Sequence, residues 1–528
     1  PMKTERRIFQ NVYLDSVTLM RISANLMKLE GVAEASVLMG TPSNMDLLVQ
    51  SGLLAEPPMV KSSDLVVVIK GDEGVLDNAF TEAAEALRPK ESGTGEVSIL
   101  PPPTSLRCAV AENADSSLAL ISVPGAFAAA EALKAIEAGL NVMIFSDNVP
   151  VWQEVALKRA ATARGLLVMG PDCGTSIING APLAFANAVR RGSIGIVGAS
   201  GTGIQQVTCL IHGLGQGISQ AIGTGGHDLS AEVGGLTMLA GIDALARDDS
   251  TKIITLISKP PSREVGTTIL KAAAATGKPV VVNFFGADTA ALIATLDASA
   301  CSRFCIATTL EEAAHRSVAL AESKAPTFTS VIPGTNSPAE TILRARAKAL
   351  RAQASLTPQQ TRLRALYTGG TFCYEAQWLL GNCLGDIYSN APAGSSKSLE
   401  NPFKSTGNTI VDLGDDGFTR GKPHPMIDPT PRNGRLIQEM ADPTCGVLLL
   451  DVVLGYGSHE DPAGELAAAI AKGKAATANP PICIASVCGT DQDPQHLDEQ
   501  CAKLEAQGVV LCQSNAQAAA LAACVLMA

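Results

Sequence analysis

The feature that most constrains this chain is that its last third repeats the plan of its middle. One run reads "SIGIVGASGTGIQQ", "AIGTGGHDLS", "IITLISKPPS", "GKPVVVNFFGA" and "CIATTLEEAA" between residues 192 and 322. The other reads "RLRALYTGGTFCYEA", "IVDLGDDGFT", "VLLLDVVLGYGS", "PPICIASVCGT" and "VVLCQSNAQAA" between 362 and 528. Each is a series of about five short apolar strands, with glycine near several of their exits into helices. Apolar strands without period-two alternation are buried on both faces, which calls for parallel sheets covered by helices. We therefore expect two flavodoxin-like domains inside a multidomain α/β protein.

The strands "LALISVPG", "NVMIFS" and "LLVMGPDCG", with helices expected at Ala126–Ala138 and Val151–Arg164, precede the repeat and read as a Rossmann-like βαβαβ unit of the CoA-binding type. Ahead of it, Asp15 is placed to cap a helix with the stripe Leu19, Ile22, Leu26 and Leu29. Strands at Val32–Met39 and Leu65–Lys70 and a helix at Leu76–Leu87 complete a small N-terminal unit. "RPKESGTG" and "PPPTS" have linker composition across 88–115. The expected domains are 1–100 (small α/β), 116–190 (Rossmann-like), 191–325 and 362–528 (ligase-type, flavodoxin-like). Residues 326–361 form a linker with a helix at Ala339–Ala352. The stretch "NAPAGSSKSLENPFKSTGN" reads as a polar, mobile loop, and 509–528 as an amphipathic last helix.

At 528 residues the chain exceeds one core, and roughly three to five domains follow from length. A net charge of −11 with no Lys/Arg run argues against nucleic acid. No charged segment followed by an apolar one opens the chain, so we expect no leader, no membrane segment and a cytoplasmic location; Pro1 ahead of Met2 reads as an added residue. Thirteen cysteines are then expected as reduced thiols. Cys301 and Cys305 have no second pair or histidine near them, so no metal site is expected.

The glycine-rich turns carry the chemistry. Ser200, Gly201, Thr202 and Gly203 follow a strand and open a helix, where converging N–H groups, the helix dipole and two hydroxyls suit a phosphate. The Walker A lysine is missing. The bland alternative is a plain tight βα turn. The matching turn of the second copy, Thr368, Gly369, Gly370 and Thr371, strengthens the phosphate reading, because two equivalent turns can face one pocket. Further strand exits offer His227 and Asp228, Lys259, then Asp412, Asp415 and Asp416, and later Asp451. "RGKPHPMIDPTPRNGR" groups Arg420, Lys422, His424, Asp428, Arg432 and Arg435, either a carboxylate clamp or a solvated basic loop. Of the other histidines, His212 is expected at a helix end, His315 in a surface pair with Glu311, and His496 exposed. His459 follows a glycine turn at a strand end with nothing further to support a role. No motif argues for hydrolase, zinc or redox chemistry.

"VPGAFAAAEALKAIEAGLNVMIFSDNVP", "GPDCGT" and "IGIVGASGT" resemble the α chain of succinyl-CoA synthetase and of NDP-forming acyl-CoA synthetases over about residues 116–322, and 362–528 resembles the β-chain ligase domain. With "LLVMGPDCGTS", "GASGTGIQ", "YTGGT", "DLGDD", "PHPMIDPTPRN" and "LLLDVV", the whole chain resembles the FdrA family. The synthetases' phosphohistidine would fall in "NFFGADTAALIATLDAS", Asn283–Ser299, which has no histidine. The glutamate supporting it would fall near Lys259. The N-terminal CoA turn and the ATP-grasp domain have no counterpart, which leaves CoA a doubtful ligand. The FdrA resemblance implies the oxamate carbamoyltransferase system, in which oxalurate and phosphate give oxamate and carbamoyl phosphate. On that reading phosphate or carbamoyl phosphate is the substrate. Ser200, Gly201, Thr202, Gly203, Gly369, Gly370, Thr371 and Lys259 would hold it. His227, Asp228, Asp428 and Arg432 would hold the organic acid, with Lys259 and His424 as the catalytic residues and His424 as proton shuttle. Partner subunits or self-association are expected. The alternatives are an acyl-CoA synthetase completed by partner chains and a non-catalytic scaffold.

Overall fold

The computed structural model describes residues 2–88, 103, 105–419 and 422–528. The N-terminal unit runs β1 (Met2–Phe9), α1 (Ser16–Met27), β2 (Val32–Met39), α2 (Pro42–Gln50), β3 (Leu65–Asp72) and α3 (Leu76–Ala86), with an antiparallel sheet in the order β1-β3-β2. Asp15 caps α1 by accepting from the Thr18 N–H, and Leu19, Ile22 and Leu26 turn into the core beneath β3. The sequence did not announce β1 or α2. "MKTERRIF" is polar because β1 is an exposed edge with little to bury, and α2 is a short helix opened by the Thr41 cap and Pro42.

Most of the expected linker 88–115 lies outside the described residues, but its end is helical: α4 spans Leu106–Glu112, capped by Ser105. The Rossmann-like unit follows as β4 (Leu118–Ile121), α5 (Gly125–Glu137), β5 (Asn141–Ile144), α6 (Val151–Thr162) and β6 (Val168–Met169), a parallel sheet in the order β4-β5-β6. Its chain does not stay with that sheet up to residue 190. The hairpin β7 (Thr175–Ile178) and β8 (Ala181–Ala184) crosses to the next sheet, where β7 pairs antiparallel with a strand of the first repeat. The two units are stitched together by this hairpin.

The first repeat is β9 (Arg191–Gly198), α7 (Gly201–Gly213), β10 (Ile218–Gly223), α8 (Leu236–Arg247), β11 (Ile253–Ser258), α9 (Arg263–Ala275), β12 (Val280–Phe284), α10 (Thr289–Ile293), α11 (Ala298–Cys301), β13 (Phe304–Ile306) and α12 (Leu310–Ala321). A linking helix α13 (Pro338–Gln353) leads to the second repeat. That repeat is β14 (Arg362–Tyr367), α14 (Gly370–Leu380), β15 (Ile387–Ser389), β16 (Lys397–Ser398), β17 (Asn408–Asp412), α15 (Asp416–Thr419), α16 (Thr430–Met440), β18 (Cys445–Val453), α17 (Pro462–Ala475), β19 (Ile482–Cys488), α18 (Leu497–Ala506), β20 (Val510–Cys512) and α19 (Asn515–Met527).

The sheet orders are β13-β12-β11-β9-β10-β7-β8 and β16-β15-β17-β14-β18-β19-β20. Stripped of their edge additions, both are the flavodoxin order 2-1-3-4-5. The loop expected to be mobile contributes β16 to the sheet edge. The two domains meet through equivalent helices, with α7 against α14 and α12 against α19, over one apolar core that joins Ile204, Val207 and Leu310 to Phe372, Ala376 and Leu521. This burial corrects the reading of the last helix. α19 is apolar on nearly every side because both domains and α13 surround it. Among the described residues, no helix is long and apolar enough to cross a membrane.

Candidate functional site

The parallel sheets place their strand exits, and the helix starts that follow them, at the seam between the repeats. Ser200 leaves β9 in an extended conformation and caps α7, its Oγ accepting from the Gly203 N–H at 3.1 Å. The same Oγ lies 2.6 Å from Thr371 Oγ1 in the first turn of α14. The two glycine-rich turns that the sequence paired by analogy are therefore in contact. Close approach explains the glycines of the second turn. A β-carbon on Gly369 would stand 3.0 Å from Thr202 Cγ2, and one on Gly370 would stand 2.7 Å from Asp412 Oδ2.

The start of α14 differs from that of α7. Gly369 has no side chain to cap with, and Asp451, at the end of β18, does the work from across the sheet. Its carboxylate accepts from the N–H groups of Thr368 and Gly369 at 2.9 and 2.8 Å and from Thr368 Oγ1 at 2.9 Å. Burial raises the pKa of Asp451, opposed by Arg432 and these donors. Arg432 is itself buried in the first turn of α16. Its Nη1 donates to the Asp451 carbonyl at 2.6 Å and lies 3.6 Å from Oδ1. Arg432 thus braces Asp451 from behind, and the sequence had no signal that these two residues meet.

Lys259 is exposed at the exit of β11, with Nζ 5.6 Å from the Tyr374 ring centre on α14. Two carboxyls lie within its electrostatic reach. Burial pushes Asp412, at the end of β17, up to about 7; Asp415 and Asp451 add to this, while the Gly414 N–H and Lys259 oppose it. Asp172, solvent-accessible but ringed by protein, rises to about 6 by desolvation and by Asp147 and Asp416, against His227 and Lys259. Reading strand exits brought out Asp412 but assigned it no role, and Asp172 was hidden inside "GPDCG".

His424 is brought to this seam and is half-buried. Its ring centre is 5.9 Å from that of Phe185, its Nδ1 accepts from the Met426 N–H, and a β-carbon on Gly414 would lie 2.7 Å from its Nε2. Desolvation pushes its pKa down to about 4. The ring is therefore neutral near pH 7, which suits a fixed N–H donor better than a proton carrier.

The expected substrate ligands divide. The His227 side chain is 64% exposed, with Nδ1 3.8 Å from Glu154 Oε2. Asp228 is fully buried and committed, because it holds Lys158 at 2.8 Å and caps α8 through the Thr237 and Met238 N–H groups. Asp428 is buried, with Oδ1 accepting from the Thr430 N–H and Oδ2 without a partner among the described residues. Arg420 lies outside the described residues. The proposed clamp does not close as a unit, since Arg435 is tied to Glu439 at 2.5 Å on its own helix.

The remaining histidines also find partners. His212 is buried, accepting from the Arg190 N–H and meeting Asp491 at 2.5 Å. His459 meets Lys28 at 3.2 Å. His315 stacks near Phe328, whereas Glu311, its expected partner, binds Ser514. His496 is exposed, as expected. A cavity of about 300 Å³ between Tyr13 and Phe127 lies away from this seam.

At the exit of β12, where the resemblance would place a phosphohistidine, the chain presents Phe284, Phe285 and Gly286. Phe285 is buried, with its ring centre 6.0 Å from that of Tyr374. Among the described residues no group of three or more His, Cys, Asp or Glu side chains could hold a metal ion. Cys301 turns its thiol to the Ile293 carbonyl instead of toward Cys305.

Three family descriptions match parts of the chain: a CoA-ligase family over residues 366–525, a CoA-binding domain over 189–286, and an "AllF, heavy metal-associated domain" over 2–99. The CoA-binding match falls on the sheet built around β9. Residues 2–99 contain neither cysteine nor histidine, so no thiolate or imidazole metal ligand is present in that stretch. The uncharacterized protein YahF of Escherichia coli K12 is 44% identical over 518 residues, covering 97% of this chain and 96% of that one. Subunit alpha 2 of the ADP-forming succinate–CoA ligase of Archaeoglobus fulgidus is 29% identical over 191 residues, 35% of this chain and 64% of that one. Among solved structures, the dinucleotide-forming acetyl-coenzyme A synthetase 1 of Ca. Korarchaeum cryptofilum is 15% identical over 78% of this chain and 82% of that one, with a TM-score of 0.31.

Proposed function

Because the chain belongs to the family of Escherichia coli YahF, built on CoA-ligase-type and CoA-binding-type domains, we propose that it is the carbamoyl-transferring component of a cytoplasmic complex and that it uses free phosphate. The reaction is oxalurate plus phosphate to oxamate plus carbamoyl phosphate, reversibly, as in the FdrA family it resembles. The observation that carries this reading is the 2.6 Å contact between Ser200 and Thr371, which sets two helix starts against each other. Such a seam suits a small anion held by backbone N–H groups and hydroxyls.

The residues then divide the work. Ser200, Thr202, Thr371 and the N–H groups of Gly201 and Gly370 surround the phosphate, and Lys259 supplies its cation. On this reading the exposed His227 meets the carboxylate of the organic acid. Asp451 and Arg432 position α14, and Asp228 positions α8. Catalysis on this reading is mostly alignment plus stabilisation of the carbonyl oxygen as charge develops on it. The test is phosphate-dependent cleavage of oxalurate by the chain with its co-purifying partners, compared with Lys259→Ala.

A second reading, acyl-CoA ligation with partner chains supplying the missing domains, is favoured by the CoA-ligase and CoA-binding matches. It requires a phosphorylated protein side chain, and Asn283–Ser299 offers no histidine. Labelled phosphate with succinyl-CoA, followed by measurement of protein-bound label, separates the two readings.

A further inference from the structure

Asp412 has an unusual position for a carboxylate beside a phosphate site. It ends β17 opposite Tyr367 of β14, at the level where α14 begins. Its Oδ1 accepts from the Gly414 N–H at 2.9 Å. Its Oδ2 accepts no hydrogen bond among the described residues and reaches the first turn of α14, where only the missing β-carbon of Gly370 leaves it room. A phosphate lodged between the starts of α7 and α14 would lie against that oxygen. An ionised carboxylate there repels the phosphate, whereas a carboxylic acid donates a short, strong hydrogen bond to it.

The groups facing Asp412 come from several elements. Asp415 follows it, Asp451 comes from the end of β18, Lys259 from the exit of β11, and the Cys373 thiol from α14. His424 stands by Gly414 as a neutral ring. The Gly414 N–H and Lys259 favour the ionised form, but desolvation outweighs them and holds the acid form up to near neutrality.

We propose that Asp412 is the proton-bearing ligand of the paired helix starts, meeting phosphate as a carboxylic acid and giving its proton to the nitrogen that leaves the carbamoyl carbon. This rests on the phosphate reading above. In the step, an oxygen of hydrogen phosphate bonds to the carbamoyl carbon and the bond from that carbon to the amide nitrogen breaks. The electron pair of that bond stays on nitrogen, which takes the Asp412 proton. The proton of the attacking phosphate returns to the Asp412 carboxylate, so the residue ends as it began. The substrate class follows: carbamoyl groups carried on a poor, nitrogen leaving group that cannot depart unprotonated.

The test is anion binding by the full chain, followed by calorimetry above neutral pH in buffers of different ionisation enthalpy. Phosphate is one probe; sulfate, which does not titrate there, is the other. Wild type should take up close to one proton per anion bound, and Asp412→Asn should bind the anion with no uptake. Asp412→Glu should retain it. Infrared difference spectra of the wild type on sulfate addition should gain a carboxylic-acid carbonyl band, a readout that needs no variant to fold. In the transfer reaction with partners present, Asp412→Asn should lower kcat about 100-fold or more while leaving KM for phosphate nearly unchanged. Equal uptake in wild type and Asp412→Asn, or no acid band, overturns the role of Asp412 and leaves the phosphate site standing. No binding of either anion by wild type overturns both.

Discussion

Ser200 and Thr371 are 171 residues apart in sequence and 2.6 Å apart between their hydroxyl oxygens. Ser200 caps the first helix of one flavodoxin-like repeat and Thr371 lies in the first turn of the first helix of the other, so this bond joins the two domains at their first helices.

The bond can be measured. Thr371→Val keeps the volume but removes the hydroxyl, at a cost of about 1 kcal/mol of stability. Ser200→Ala also loses the cap on the Gly203 N–H, which is worth about 1 kcal/mol by itself. In a double-mutant cycle read by urea unfolding, we expect the two changes to be coupled by about 0.5 kcal/mol or more. Additive effects would mean that the hydroxyls do not bond in solution.

Lys259→Ala should separate binding from folding. Because Lys259 is exposed, we expect its removal to shift stability by no more than about 0.5 kcal/mol. Phosphate affinity should fall. The carboxyls of Asp412 and Asp172, which Lys259 holds down, should titrate higher. Calorimetric titration with phosphate across pH reads both effects.

Arg432 and Asp228 should behave as structural residues. Arg432→Met leaves Asp451 buried without its cation, a loss of about 3–5 kcal/mol. Thermal unfolding should register it even where substrate is absent. A variant with unchanged melting but raised KM for the organic acid would restore Arg432 to the substrate.

Buried Glu375 on α14 gives the domain seam a pH dependence. It accepts from the Leu310 N–H at 2.9 Å and from Asn515 Nδ2 at 2.8 Å, and desolvation raises its pKa to about 7. A raised acid favours the folded state fully below its unfolded pKa, and the benefit is lost as pH climbs through the folded value. Stability should therefore decline between about pH 4.5 and 7, by on the order of a few kcal/mol. Glu375→Gln should flatten that decline, since an amide does not titrate in this range. Melting temperature against pH checks it.

The fold was legible in the sequence wherever burial writes a pattern. Strands such as Ile253–Ser258 and Cys445–Val453 are buried throughout and read as unbroken apolar runs. The turns beside them read through their glycines. The β7–β8 hairpin was not legible, because nothing local says which sheet a strand will join. The last helix was misread because four polar residues near Gln513 looked like a wet face. In fact Ser514 caps α19 and, with Gln517, holds Glu311, while Asn515 holds Glu375 across the domain seam. The same limit applies to the site. The residue types at Ser200 and Thr371 raised the expectation of an anion site, while the partnership of Arg432 with Asp451 exists only once β18 and α16 are packed.

The most direct test of the central claim is to supply the chain, with its co-purifying partners, with oxalurate and labelled inorganic phosphate and to follow where the label goes. We expect carbamoyl phosphate and oxamate in equal amounts, no label on the protein, and loss of turnover in Lys259→Ala. Label retained on the protein, together with no phosphate-dependent cleavage of oxalurate, would contradict it.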